Sequence, residues 1–140
     1  MPDPVILVIG TWDTKDDELS YMRERIAALG GGVLSMDVGV LGDPSRPVDL
    51  SKHDVAAAAG SSIAEVIAAG DENHAMQIMA RGAAALAARM VAEGRAQGMI
   101  ALGGTMGTDL ALDVAQALPL GVPKYVVSTV SFSPLIEPGR

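Results

Sequence analysis

Glycine and threonine residues are concentrated in two short segments, each of which follows an apolar run. The first is Gly10-Thr11-Trp12-Asp13-Thr14-Lys15, and the second is Gly103-Gly104-Thr105-Met106-Gly107-Thr108-Asp109. Glycines leave backbone N–H groups accessible and threonines add hydroxyls, while a helix that starts behind such a segment contributes its positive end. These groups together favour binding of an anion such as phosphate. The alternative for each segment is a tight turn with helix caps.

The second segment matches neither of the common nucleotide fingerprints. No lysine follows its last glycine, Gly107, as a Walker loop requires, and its glycines do not have the G-x-G-x-x-G spacing. The segment therefore predicts an anion site without specifying the kind of nucleotide.

Opposite charges meet in the first segment. Lys15 can hold a phosphate as a point charge, whereas Asp13 and the acidic run Asp16-Asp17-Glu18 repel a bare phosphate. We expect Asp13 to bind a ribose hydroxyl or to reach a phosphate through Mg²⁺, and the acidic run to cap a helix. Asp37 is a further candidate for a ribose hydroxyl. His53 and His74 stand alone, so no metal site made of protein ligands is predicted.

The elements that position these segments alternate along the chain. Continuous apolar runs predict buried strands at 5–9, 33–38, 98–102 and 124–130. The first helix is predicted to start at a capping-box-like pair, Thr14 and Asp17, and to carry an apolar stripe that ends at Leu29. Two short helices are predicted to follow Ser51 and Ser62, which can cap them. Two more are predicted at 73–93 and 108–118. In the first of these, the spacing of Met79, Ala83, Leu86 and Met90 indicates core packing.

This alternation predicts an α/β protein with a Rossmann-like three-layer fold. We expect a mostly parallel sheet of at least four strands with helices on both faces. If the strand order is 2-1-3-4, the two glycine and threonine segments flank the switch point, where such folds bind ligands. A third segment, 128–131, closes strand four at the same edge.

Composition narrows the possible partners. The chain has 140 residues, a net charge of −7 and no cysteine, and its ten basic residues are scattered. We therefore expect a single domain that binds no nucleic acid. No apolar run reaches the length of a membrane span, and no targeting signal is visible, so a cytoplasmic location is predicted. Because the chain ends soon after strand four, we expect 1–140 to be the N-terminal subdomain of a longer, two-subdomain protein.

The three segments, with 121–130 as the third, resemble in order and spacing the Tm-one-like ATP-binding proteins, bacterial and fungal relatives of the tomato tobamovirus-resistance protein. The resemblance covers essentially the whole chain. It implies ATP as the ligand, possibly with Mg²⁺. Two departures from the family pattern are visible: Met106 stands where glycine is common, and Ser131-Phe132-Ser133 replaces the small residues that usually follow Val130.

The resemblance assigns nucleotide-binding residues to each of the three segments. They are Thr11, Asp13, Thr14 and Lys15 in the first, Gly103, Gly104, Thr105, Gly107 and Thr108 in the second, and Ser128 and Thr129 in the third.

The leading hypothesis is therefore an ATP-binding domain, with two alternatives. One is a metabolic enzyme acting on a phosphorylated or carboxylated small molecule, with Asp13 or Asp109 as general base or metal ligand. The other is a non-catalytic association subdomain, whose apolar faces pack on a second copy or on a C-terminal subdomain.

Overall fold

The fold is built on four parallel strands, each followed by helical segments or a loop. The structure, a computed structural model, describes residues 3–129, apart from the side chains of Thr105 and Met106. Val130 and Ser131, predicted to end strand four and its loop, lie outside the described residues. The elements are β1 (Val5–Gly10), α1 (Asp16–Ala28), β2 (Gly32–Asp37), α2 (Lys52–Ala58), α3 (Ile63–Ala68), α4 (Glu72–Ala92), β3 (Gly98–Gly103), α5 (Thr105–Ala117) and β4 (Lys124–Ser128).

The strand order is β2-β1-β3-β4, and every pair is parallel. At the centre, Val8 of β1 lies between Ser35 of β2 and Ile100 of β3. The chain therefore adds β2 on one side of β1 and β3 and β4 on the other. The boundary between β1 and β3 is the switch point of this open α/β sheet. The predicted Rossmann-like α/β class and the order 2-1-3-4 are both confirmed.

Helices cover both faces of the sheet, but unequally. Successive side chains of a strand point to opposite faces, so Leu7 and Ile9 of β1 face a large core formed with α2 to α5. Val8 faces the other side, where it packs with Trp12 and with Leu19 of α1. The predicted stripe of Met79, Ala83, Leu86 and Met90 is buried in the large core, as expected.

The smaller face leaves part of the sheet open. Its helix, α1, packs on β1 and β2, while Ile100 and Leu102 of β3 are only half-buried. The register places Tyr125 beside Ile100 and Val127 beside Leu102, and Tyr125 is 65% exposed. Within residues 3–129, the expectation that every strand is buried on both faces is therefore wrong for this half of the sheet, because α1 covers β1 and β2 and no described helix covers β3 and β4 on this face.

Several helix starts agree with the sequence patterns, and two do not. Ser51 forms a complete capping box with Asp54, and Ser62 accepts a hydrogen bond from the Glu65 N–H. The expected cap of α1 by Thr14 is absent, because the Thr14 hydroxyl is paired with that of Thr11 at 2.7 Å. Helix α5 begins at Thr105 rather than at Thr108.

Two details of the helices follow from their neighbours. Leu29, expected on the buried stripe of α1, is the C-cap residue and is 81% exposed. Gly82, in the interior of α4, is required by a close helix crossing, since a Cβ there would collide with the Val55 carbonyl oxygen of α2. Among residues 3–129, no helix combines the length and the hydropathy needed to cross a membrane.

Candidate functional site

The β1–α1 loop is a compact turn at the carboxyl edge of the sheet. The Thr11 carbonyl accepts hydrogen bonds from the N–H groups of Thr14, at 3.1 Å, and Lys15, at 2.8 Å. The hydroxyls of Thr11 and Thr14 are 2.7 Å apart. Lys15 is the N-cap residue of α1 and forms no ion pair with any described residue. The loop therefore presents two paired hydroxyls and an ammonium group at the end of β1.

Asp37, the last residue of β2, fixes this loop to the next one. Its side chain is fully buried, and Oδ1 accepts hydrogen bonds from the Trp12 N–H at 3.1 Å and the Gly39 N–H at 2.9 Å. Burial raises the pKa of the Asp37 carboxyl above its ordinary value, although the two backbone hydrogen bonds act in the opposite direction. Asp37 thus positions both loops. Its expected contact with a ribose hydroxyl does not fit a side chain that is fully buried against backbone.

Asp13 packs against the glycines of the β2–α2 loop. A Cβ on Gly39 would lie 2.5 Å from Asp13 Oδ1, and a Cβ on Gly42 would lie 2.8 Å from Oδ2. Oδ1 is buried and accepts no hydrogen bond from the described residues. Glycine at 39 and 42 thus lets the loop close over this carboxylate, which keeps an unused acceptor.

The rest of the β2–α2 loop is tied down at three points. The Asp49 carboxylate accepts hydrogen bonds from the Ser35 N–H and hydroxyl, at 2.8 and 3.0 Å. The buried ammonium of Lys52 donates to the Gly42 carbonyl at 2.7 Å and pairs with Asp43 at 2.9 Å, which lowers the pKa of the Asp43 carboxyl. Arg46 pairs with Asp16 at 3.3 Å. This irregular loop is therefore held in place beside Asp13.

The β3–α5 junction is shorter than the sequence predicts. Gly103 ends β3 and Gly104 is the N-cap of α5, so Thr105 and Gly107 belong to the first helical turn. A Cβ on Gly103 would collide with the backbone of Gly107 and Thr108, whereas one on Gly104 would meet, among the described atoms, only Thr129 Oγ1, at 3.9 Å. Gly103 therefore permits close packing of helix on strand, and no described atom crowds Gly104.

The hydroxyls behind this junction join β3, α5 and β4. Thr108 is buried and donates to the Gly103 carbonyl at 3.1 Å, and its hydroxyl lies 2.7 Å from that of Ser128. The Thr129 N–H donates to the Gly103 carbonyl at 3.3 Å, and the Thr129 side chain is exposed. Thr108 is thus part of the framework, while Gly104 and Thr129 lie at its surface among the described residues.

The structure brings the predicted residues to one edge in two groups. Thr11, Asp13, Thr14 and Lys15 follow β1, and Gly103 to Thr108 follow the adjacent β3, with Ser128 and Thr129 at the end of β4. Within the described residues, no three histidine or acidic side chains converge as a metal site would require. The local patterns thus predicted the edge correctly, and the roles of the individual residues stay predictions.

A cavity of about 570 Å³ opens beside the first group, and the sequence patterns did not predict it. Its floor is formed by Thr11, Asp13 and Thr14, and its walls come from the β2–α2 loop, from α3 and from the start of α4. The corner between α3 and α4 contributes Gly70, Asp71 and Glu72. Acidic residues directly after a helix-ending glycine were the available signal, but nothing local shows that this corner folds over β1.

The loop also carries a natural optical probe. Trp12 is the only tryptophan in the chain and is fully buried against Val8 and Leu19. The Arg23 guanidinium lies 5.0 Å from the centre of its ring, a cation–π contact. A change in this loop therefore alters the surroundings of a single fluorophore.

Comparison with known proteins gives a consistent family. Residues 4–137 match the N-terminal domain of the uncharacterised protein family UPF0261. A UPF0261 protein of Brucella suis is 53% identical over 137 residues, which are 98% of this chain and 33% of that protein. A UPF0261 protein of Clostridium tetani is 37% identical over 126 residues, 90% of this chain and 31% of that protein.

The resemblance to the tomato protein reflects a more distant relation. The tomato ToMV susceptible protein tm-1(GCR26) is 28% identical over 147 residues, covering 91% of this chain and 19% of that protein. The family matched is UPF0261 and not one described by ATP binding. The chain spans about a third of the length of the first two relatives. The chain belongs to the family of UPF0261 N-terminal domains.

Proposed function

We propose that this domain binds a nucleotide, with ATP as the expected ligand, across the switch point between β1 and β3. The observation that carries the proposal is the strand order, which sets the Thr11–Lys15 loop and the Gly103–Gly104 junction at adjacent strand ends. Open α/β sheets bind ligands at this place, because the connections that follow the two adjacent strands go to opposite faces of the sheet and leave a crevice between them.

Groups suited to phosphate lie on both sides of the crevice. The first N–H groups of α5 have no acceptor within the helix and carry the positive end of its dipole. Gly104 borders them without a side chain, so a phosphate can approach the backbone. Lys15 supplies a positive charge from the other side. The hydroxyls of Thr11, Thr14 and Thr129 complete the set of polar groups.

Asp13 supports a role toward Mg²⁺ or a sugar hydroxyl. Its Oδ1 is a buried acceptor without a partner among the described residues, which is costly unless a donor or cation reaches it. A bound Mg²⁺ would neutralise phosphate charge beside this carboxylate. Lys15 would then hold the phosphate, and the threonine hydroxyls would orient it.

Titration calorimetry with ATP and ADP in the presence of Mg²⁺ tests the proposal, with Trp12 fluorescence as a second readout. Lys15→Ala removes the charge, and Gly104→Val fills open space without touching the framework. Both should weaken binding at least about tenfold, equivalent to about 1.4 kcal/mol. Arg89→Ala, which removes an exposed charge in the last turn of α4, is the matched control. Absence of ATP binding to the protein would overturn the proposal.

The enzyme alternative uses the same edge. If a phosphorylated or carboxylated metabolite is turned over there, Asp13→Asn should abolish turnover and leave substrate binding measurable. Turnover that is unaffected by this substitution would reject Asp13 as general base or metal ligand.

A further inference from the structure

We propose that the cavity beside Asp13 is a binding site for a second ligand, an organic cation with an apolar body, such as an alkyl- or arylammonium compound. Its volume of about 570 Å³ falls within the range of about 300–1,000 Å³ of small-molecule pockets. It shares Thr11, Asp13 and Thr14 with the proposed nucleotide site, but its walls lie on the β2 side of the Thr11–Lys15 loop, away from the Gly103–Gly104 junction.

The walls of the cavity select an apolar body. Val38, Val66 and Met76 line the interior, and Val66 and Val38 belong to the large core. Ile67 and Leu41 stand at the mouth and are 53% and 90% exposed. An alkyl chain or aromatic ring that enters removes these side chains from water, which is the favourable term for binding in such a pocket.

The charges around the cavity select a cation. Asp13, Asp71 and Glu72 line it, and no lysine, arginine or histidine does among the residues that the structure describes. The N-terminus of α4 is capped by Asp71, whose carboxylate accepts a hydrogen bond from the Asn73 N–H at 3.0 Å and offsets the positive end of the helix dipole. A phosphate or carboxylate placed here would meet like charges without compensation. An ammonium group in the cavity is attracted by the negative charges of all three residues.

Asp13 gives the ammonium a defined partner. Asp13 lines the cavity and is only partly buried, while its Oδ1 is covered by the β2–α2 loop. An ammonium group at the cavity floor would lie beside this carboxylate, and a charged donor binds a carboxylate more strongly than a neutral donor does. The carboxylates and the apolar walls together favour an amphiphilic cation.

The experiment compares three probes of the same alkyl length, hexylammonium, hexanol and hexanoate. Binding is followed by methyl chemical shifts of Met76 and Ile67 in NMR titrations of the protein. We expect hexylammonium to bind about tenfold or more tightly than hexanol, as one charge-assisted hydrogen bond implies, and hexanoate not to bind. Equal binding of the amine and the alcohol, or binding of hexanoate, would overturn the proposal.

Variants separate the charge from the apolar walls. Glu72→Gln lies at the exposed start of α4 and should weaken hexylammonium but not hexanol, whereas Asp13→Asn should bring the two affinities together. Ala75→Leu fills the cavity and should weaken both probes. Glu93→Gln, at the other end of α4, should change neither. Hexylammonium affinity that is unchanged in Glu72→Gln and Ala75→Leu would reject the site.

The same titrations distinguish this proposal from nucleotide binding. Hexylammonium should bind in the absence of ATP and shift the methyl groups of Met76 and Ile67, whereas ATP without the amine should leave these methyl groups unshifted. Shifts of these groups caused by ATP alone would place the nucleoside in the cavity and overturn the assignment to a second ligand. Failure of ATP to bind, with amine binding intact, would reject the nucleotide and leave this inference standing.

Discussion

Asp37 shows how a single carboxyl can connect the architecture of the site to pH. Because burial raises its pKa, the native state retains a proton that the unfolded chain has lost between the ordinary value of 3.8 and the raised native value. The native state binds more protons in this window, so the contribution of Asp37 to the free energy of unfolding falls as pH rises through it.

The free energy of unfolding of the Asp37→Asn variant should therefore increase relative to that of the parent as pH rises from about 4 to 7. The amide keeps an oxygen for the Trp12 and Gly39 N–H groups and carries no charge to desolvate. Urea unfolding of both proteins across this pH range, followed by Trp12 fluorescence, measures the effect. Glu93→Gln, which changes an exposed carboxyl, should give a parallel curve, and a difference between parent and Asp37→Asn that does not depend on pH would contradict the prediction.

The two adjacent glycines after β3 should respond differently to the same methyl group. Gly103→Ala forces a Cβ into the backbone of α5 and should cost about 1–3 kcal/mol of stability. Gly104→Ala adds a Cβ in open space and should change stability by less than about 0.5 kcal/mol. Chemical denaturation of both variants provides the comparison, and equal costs would show that the junction is packed differently.

At the scale of the elements, helix α4 tests whether tertiary contact outweighs helix propensity. Replacing Gly82 by alanine in an isolated helix would gain about 1 kcal/mol. Here the new Cβ meets the Val55 carbonyl oxygen, which belongs to a backbone that cannot move aside easily. We expect Gly82→Ala to lower the free energy of unfolding by about 1–3 kcal/mol.

A control for this prediction lies one turn away on the same helix. Ala85 is exposed, so Ala85→Gly should cost about 1 kcal/mol from propensity alone. The two exchanges run in opposite chemical directions yet should both destabilise the protein. A stabilised Gly82→Ala variant in urea unfolding would mean that α2 and α4 do not cross as closely as described.

The sequence predicted those helices and strands whose signal lies within a few neighbouring residues. The runs of apolar residues, the Ser51 and Ser62 caps and the stripe from Met79 to Met90 are all confirmed. The start of α5 was missed because Gly103 and Gly104, rather than the whole glycine and threonine segment, form the junction. The predicted Thr14 cap does not form, because the Thr14 hydroxyl is paired with that of Thr11.

Parts of the candidate site depend on contacts between distant segments and therefore had no local signal. Asp37 was considered as a ligand residue, but its partners are Trp12 and Gly39, on two different loops. The cavity exists only because the α3–α4 corner lies beside Thr11 and Asp13. The strand order 2-1-3-4 could only be assumed, because the alternation of strands and helices predicts the fold class but not which strands are adjacent in the sheet.

At the scale of the whole molecule, the two faces of the sheet differ in cover. Ile100 and Leu102 are half-buried on the face where α1 packs on β1 and β2. Tyr125 and Val127 continue this apolar surface onto the edge strand β4. Contiguous apolar surface of this kind favours association, and among the described strands β4 is at the edge of the sheet, where backbone groups can pair with another chain.

We therefore expect the 140-residue chain in isolation to self-associate through this face. Tyr125→Lys places a charge on the exposed edge strand, 65% exposed in the parent, and should shift the equilibrium toward monomer without loss of stability. Tyr21→Lys, on α1 and 64% exposed, is the matched control, since it adds the same charge away from β4. Light scattering as a function of concentration measures the change in mass. A parent that stays monomeric at all concentrations would contradict the expectation. Dissociation caused by Tyr125→Lys and not by Tyr21→Lys would assign self-association to this half of the sheet, away from the proposed nucleotide site.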